Sequence, residues 1–142
     1  MPGPLERFAQ AHKAARDTIG ATLFTVSITT DDGEWVTRAY TSHEEAYPTG
    51  GLKRADLVEP VDSVDLSPDR ASIEANFPES ALIISLGCTA AVNVSLAEDG
   101  KLLGAVNIFD VEGRYTAETI PKAREIAEDL RDAIRAYQAG ER

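Results

Sequence analysis

Two paired runs of alternating or apolar residues, framed by an amphipathic helix at either end of the chain, predict an α+β fold built on an antiparallel sheet. The first pair lies in 21–42 around Asp31-Asp32-Gly33, and the second in 91–109 around Asp99-Gly100. Tight turns of this composition join neighbouring antiparallel strands, because Gly and Asp accept the positive backbone angles that such turns require.

Each element has its own local reason. After Met-Pro-Gly-Pro, residues Leu5, Phe8, Ala9, His12, Ala15 and Ile19 recur at helical spacing, and Gly20 ends the helix. Residues 21–30 then alternate, with Phe24, Val26 and Ile28 on one face and Thr25, Ser27 and Thr29 on the other. In the return strand, 34–42, strict alternation puts Val36, Arg38 and Tyr40 on one face and Trp35, Thr37, Ala39 and Thr41 on the opposite one. Residues 41–54, with Pro48 and Gly50-Gly51, read as a loop or a short helix followed by a turn. The stretch 55–66 mixes β-branched residues, acids and Pro60, which suggests a short edge strand or an irregular connection.

Ser67-Pro68-Asp69 then opens a helix that runs to Asn76: a hydroxyl cap, a proline in the first turn and an acid at the positive end of the dipole. The apolar run 81–86 reads as a strand that breaks at Gly87, with Cys88 at the corner. Gly104 weakens its strand unless something approaches the backbone there. A long C-terminal helix starts between Thr116 and Thr119 and ends near Gly140; its stripe is Ile120, Ala123, Ile126, Ala127, Leu130, Ala133, Ile134 and Tyr137. The two terminal helices are expected to cover one sheet face, with the 41–80 connection closing the other. No internal repeat or linker divides the chain, so residues 1–142 read as one domain.

Composition narrows the function classes. A chain of 142 residues with 43% hydrophobic and 27% charged residues has the balance of an ordinary soluble domain. The formal charge of -10 repels phosphate backbones and anionic lipid, so neither nucleic acid nor membrane is an expected partner. One cysteine cannot form an internal disulfide, which fits a reducing cytoplasm, and the N-terminus does not resemble a secretory signal. Nothing near His12 offers metal-ligand spacing, and no metal or cofactor is expected.

Several side chains stand out chemically. Arg38 in the return strand is either a salt-bridged sheet residue or a guanidinium aimed into a pocket as an anion clamp. Asn93 and Asn107 interrupt otherwise apolar strands, as in a cavity lined by a few polar groups or a core with two satisfied amides. The segment carrying Ser42, His43, Tyr47, Gly51 and Lys53 is either a surface connection or a ligand lid.

These segments, in order and spacing, resemble GAF domains, and more closely the small stand-alone bacterial GAF proteins. The resemblance rests on Leu23-Phe24-Thr25-Val26, on Arg38-Ala39-Tyr40-Thr41-Ser42-His43 with Ala46-Tyr47-Pro48 and Gly50-Gly51-Leu52-Lys53, and on 82–88. Val92-Asn93-Val94, 103–109 and 112–116 complete it, so it covers about 5–137. It implies an antiparallel sheet of five or six strands, the terminal helices on one face, a small-molecule pocket on the other, and homodimerisation through the helices. Specialised branches fit less well. The Asn-Lys-x-Phe-Asp-Glu type motif of cyclic-nucleotide binders is absent. Cys88 is followed by Thr89 rather than the His of bilin binders, and free methionine sulfoxide reductases use several cysteines where this chain has one.

Two functions from different classes follow. The first is a small-molecule-binding sensor or regulatory module for a small polar or anionic ligand. Its site comprises Arg38, Tyr40, Ser42, Tyr47, Gly51, Lys53, Cys88, Asn93 and Asn107. The second is a reductase- or hydrolase-like cysteine enzyme, in which a partly exposed Cys88 has its pKa lowered by His43 or Arg38. Without an attached output domain, any signal passes through a partner.

Overall fold

The structure, a computed structural model, describes residues 2–57 and 61–142. Residues 58–60, which belong to the stretch expected as an edge strand or irregular connection, lie outside the described residues, as does Met1.

Helix α1 (Pro4–Thr18) opens with proline in its first turn, where the missing N–H costs nothing, and ends at Gly20 with φ +91°. Strands β1 (Leu23–Thr29) and β2 (Trp35–Thr41) form the first hairpin. An edge strand, β3 (Gly50–Arg54), follows, then a single 3-10 turn at Ala55–Leu57 and a second edge strand, β4 (Ser63–Ser67). Helices α2 (Arg70–Asn76) and α3 (Ser80–Ser85) precede the long hairpin β5 (Ala90–Glu98) and β6 (Lys101–Asp110). Helices α4 (Thr119–Glu128) and α5 (Arg131–Gln138) close the chain. The six strands pair antiparallel in the order β3-β2-β1-β6-β5-β4.

The β5–β6 turn has the backbone that its sequence anticipates, with φ +53° at Asp99 and +76° at Gly100, as a two-residue hairpin loop requires. The helices α1, α4 and α5 lie together on one sheet face. Beneath them Phe8, Phe24, Val26, Val92, Val106, Ile108 and Ile134 are wholly buried. Burying each side chain of this size stabilises the fold by roughly 1.5–3 kcal/mol. The second face carries a smaller apolar cluster of Leu23, Tyr47, Ile73, Ile83, Cys88, Ala91 and Phe109 under α2 and α3.

Five local expectations change, the first being that residues 50–54, expected as part of a loop or turn, form the paired edge strand β3. The apolar run 81–86 is helical, not a strand: Ile83 turns inward from α3 while Ala81 and Ser85 face solvent. The cap of α2 is Asp69 rather than Ser67, because Asp69 Oδ1 accepts from Ser72 N (2.9 Å) and Ser72 Oγ reciprocates at the Asp69 N–H; Ser67 ends β4. The C-terminal helix is broken at Asp129-Leu130, where the Asp129 carbonyl accepts from Arg7 Nη2 of α1 (2.9 Å). Finally, β2 does not alternate strictly. Tyr40 pairs with Val26 and Arg38 with Ser27, so Ala39 is the extra residue of a β-bulge. The bulge reverses the phase, and Arg38 and Tyr40 emerge on opposite faces of the sheet.

Candidate functional site

The second sheet face is graded along its strands. Nearest α3 is a row of Ala91, Phe109 and Leu23, continued by Ser67 at the edge and covered by the helices. The next row is Asn93, Asn107, Thr25 and Thr41, with Asp65 at the edge. The third is Ser63, Ser95, Ala105, Ser27 and Arg38. Small and polar side chains thus replace apolar ones as the cover from α2 and α3 is left behind.

The two asparagines are hydrogen-bonded to each other. Asn93 Nδ2 donates to Asn107 Oδ1 (2.6 Å), and Asn107 Nδ2 donates to Thr25 Oγ1 (3.3 Å). This ladder crosses three strands, and both asparagines remain half-buried. The ladder ties the three side chains together along the floor and leaves Asn93 Oδ1 and the second N–H of each amide without a described partner.

Arg38 is held in place at the end of the third row. Its Nη1 donates to the Pro48 carbonyl (2.8 Å), its Nη2 lies 3.6 Å from Glu79 Oε1, and its guanidinium carbon sits 3.7 Å from the centre of the Tyr47 ring. A guanidinium stacked on an aromatic face in this way is attracted by the ring quadrupole and loses mobility. Burial pushes the Tyr47 phenol above its ordinary pKa. Around Arg38 opens a groove of about 390 Å³ lined by Ser27, Val36, Pro48, Gly50, Gly51, Lys53 and Glu79, among others. Gly50 and Gly51, with φ +95° and +73°, give β3 a backbone that a side-chain-bearing residue rarely adopts.

Of the residues picked from sequence, the structure therefore gathers Arg38, Gly51 and Lys53 at one groove, with Tyr47 buried behind Arg38 and Asn93 and Asn107 on the same sheet face. Tyr40 lies on the other face, its ring 6.2 Å from those of Phe8 and Phe24. Ser42 Oγ accepts from Phe24 N (2.9 Å) and lines a separate cleft beside α1. Cys88 is fully buried rather than partly exposed, because α3 and Gly87 carry it inward against Tyr47, Ile83 and Phe109. Burial, with the charge of Asp110 assisting, pushes its thiol up to about 11. That is the opposite of the activation a nucleophilic thiolate needs. His43 is spent locally, its Nδ1 accepting from Ala46 N (3.3 Å), and no hydrogen bond joins it to Cys88 among the described residues.

The second cleft, about 270 Å³, was not anticipated. It is lined by His12, Arg16, Gly20, Ala21, Thr22, Ser42, Asp110 and Arg114. His12 Nε2 donates to the Ala21 carbonyl (3.2 Å), and desolvation holds the imidazole below its ordinary pKa, with the Arg16 charge adding to the effect. No sequence signal joins Arg16 to Arg114, since only the return of β6 beside β1 brings them together.

Solved structures share this architecture. The GAF domain of a two-component sensor histidine kinase from Bacillus halodurans superposes with a TM-score of 0.73 at 7% identity, over 94% of this chain and 95% of that one. A GAF domain from Synechocystis sp., in its photoproduct state, gives 0.68 at 15% identity, over 96% and 95%. The blue-light-absorbing form of the PixJ GAF domain from Thermosynechococcus elongatus gives 0.65 at 15%, over 92% and 84%. The chain has the GAF fold. No family model matches its sequence, and no curated protein does either. Among the described residues, no helix is long and apolar enough to cross a membrane.

Proposed function

We propose that this protein is a cytoplasmic sensor module that binds a small polar or anionic ligand on the second sheet face, with Arg38 as its principal anchor. The observation that carries this reading is the posture of Arg38: stacked on Tyr47, tethered to Pro48, and facing a groove that also holds Lys53. The nearest carboxylate, that of Glu79, is half-exposed and 3.6 Å away, so an incoming anion competes with a weak partner. The amide floor of Asn93 and Asn107 supplies the few fixed polar groups that orient a small ligand. The GAF-fold neighbours include a domain of a sensor histidine kinase and light-absorbing photoreceptor domains, which supports a sensory role. Native mass spectrometry of the protein and of its Arg38→Ala variant, purified alike from cells, tests the reading. A co-purifying small molecule retained by the parent and lost from the variant supports it; retention by both removes Arg38 from the site.

The same reading includes assembly as a homodimer through the outer surfaces of the terminal helices. Their apolar stripes are consumed inside the protomer: Ala15, Ala123, Ala127, Ala133 and Ile134 are at most 1% exposed, and Leu5 is the large apolar residue left open on α1. That leaves little apolar surface for an interface, so the proposed dimer is a weak one. Light scattering at high micromolar concentration shows it, and a strict monomer contradicts it.

A further inference from the structure

The cleft beside α1 belongs to neither the groove nor the amide floor. It is walled by His12 and Arg16 of α1, the α1–β1 connection at Gly20, Ala21 and Thr22, Ser42 after β2, and Asp110 and Arg114 at the end of β6. In a chain of formal charge -10 it gathers two guanidinium groups against one carboxylate, a local reversal of sign.

The two guanidiniums are free to accept a ligand in different ways. Among the described residues, Arg16 makes no side-chain hydrogen bond or ion pair. Arg114 is positioned through Nε alone, which donates to the Ile19 carbonyl (3.3 Å) and lies 4.0 Å from Asp110 Oδ2, leaving Nη1 and Nη2 without a described partner. Its placement depends on Gly20: a Cβ there would stand 2.4 Å from Arg114 Nε and 2.6 Å from Asp110 Oδ2. Asp110 is in turn committed, its Oδ1 accepting from Thr22 Oγ1 (3.1 Å) and Val111 N (2.8 Å). Ser42 Oγ accepts the Phe24 N–H, so its own hydroxyl proton remains available to a further acceptor.

We infer that this cleft is a second binding site, for a small oxyanion, with Arg16 and the Nη groups of Arg114 as its donors. A planar guanidinium fork matches two oxygens of a carboxylate or of a phosphoryl group, which is the chemistry these two sources share. A volume of about 270 Å³ admits one such group with a short substituent. Occupancy ties the C-terminal half of α1 to the end of β6.

The chain's two histidines make the test direct, because His12 borders the cleft while His43 lies in the loop after β2. The imidazole carbon-bound protons of the full chain are followed by NMR during separate titrations with inorganic phosphate and with acetate. Chloride balances the ionic strength, and each anion is carried to about 50 mM, which covers millimolar affinities. The expected result is a saturable shift of His12 with His43 unmoved. A response to phosphate alone assigns a phosphoryl ligand, to acetate alone a carboxylate, and to both an unselective oxyanion site. Arg16→Gln, at an exposed position, is expected to weaken the response at least about tenfold, the effect of losing one charged hydrogen-bond donor, while Arg38→Gln leaves it unchanged. A His12 that does not move, an equal drift of both histidines, or an Arg16→Gln variant that titrates like the parent overturns the inference.

Discussion

Gly104 provides a test of the packing between the central sheet and the C-terminal helix. It lies in β6 opposite Ile28 of β1 and Leu96 of β5, without the positive φ that would itself call for glycine. A Cβ at this position would stand 2.6 Å from the Ser27 carbonyl oxygen and 3.3 Å from Ile134 Cγ2 of α5. The carbonyl is backbone in a paired strand, so β1 and β6 must separate or shear to admit a methyl group. Overpacking of this kind costs about 1–3 kcal/mol. The more restricted unfolded chain returns about 0.5–1 kcal/mol of that. Because the obstacle is backbone, the upper half of the overpacking range applies; the net loss for Gly104→Ala is about 1–2 kcal/mol, which lowers Tm by roughly 3–7 °C for a chain of 142 residues. Urea denaturation should show a lower midpoint with an unchanged slope. Ile134→Ala, which removes that Cγ2, should cost the Gly104→Ala variant as much as it costs the parent, because the carbonyl is the nearer obstacle. A Gly104→Ala protein as stable as the parent, or a loss that largely disappears in the Ile134→Ala background, refutes the reasoning.

Two further predictions concern buried polar groups. Tyr115, 2% exposed, donates its hydroxyl to the Gly20 carbonyl (2.6 Å). Tyr115→Phe should cost about 1–2 kcal/mol in thermal or urea unfolding by orphaning that carbonyl, and a neutral substitution contradicts the assignment. For Cys88, alkylation by iodoacetamide in the folded protein should be slow at neutral pH and accelerate only as the pH approaches about 11. Its folded pKa lies above its ordinary value, so the thiol contributes stability that is complete below about 9 and is lost as the pH rises through about 11. Fast modification at pH 7 would restore the cysteine-enzyme reading.

Much of this fold is written locally. Asp99-Gly100 and Asp31-Asp32-Gly33 specify their hairpins through backbone angles, and the stripes of α1, α4 and α5 specify which faces go inward. Gly104 also reads correctly, as a place where another backbone comes close. What escaped the sequence depends on partners distant in the chain. Strict alternation in β2 fails because Ala39 bulges against β1, and that one residue moves Tyr40 away from Arg38. The run 81–86 is too short for periodicity to separate a buried strand from two helical turns. Strand β3 carries two glycines of positive φ and is exposed throughout, so neither propensity nor burial marks it. The candidate site was legible in part. Arg38, Gly51 and Lys53 converge, with Tyr47 backing Arg38, because they are near neighbours around one loop. Arg16 and Arg114, in contrast, meet only through the complete sheet.

The central claim, that Arg38 anchors a small ligand on the second sheet face, is tested most directly by a ligand-bound crystal structure. Protein that has retained its co-purifying molecule is the material for it. The account predicts that molecule within hydrogen-bonding distance of the Arg38 guanidinium, over the Asn93–Asn107–Thr25 ladder and beside Tyr47. A ligand seated elsewhere, with Arg38 still bound only to Pro48 and Glu79, contradicts it.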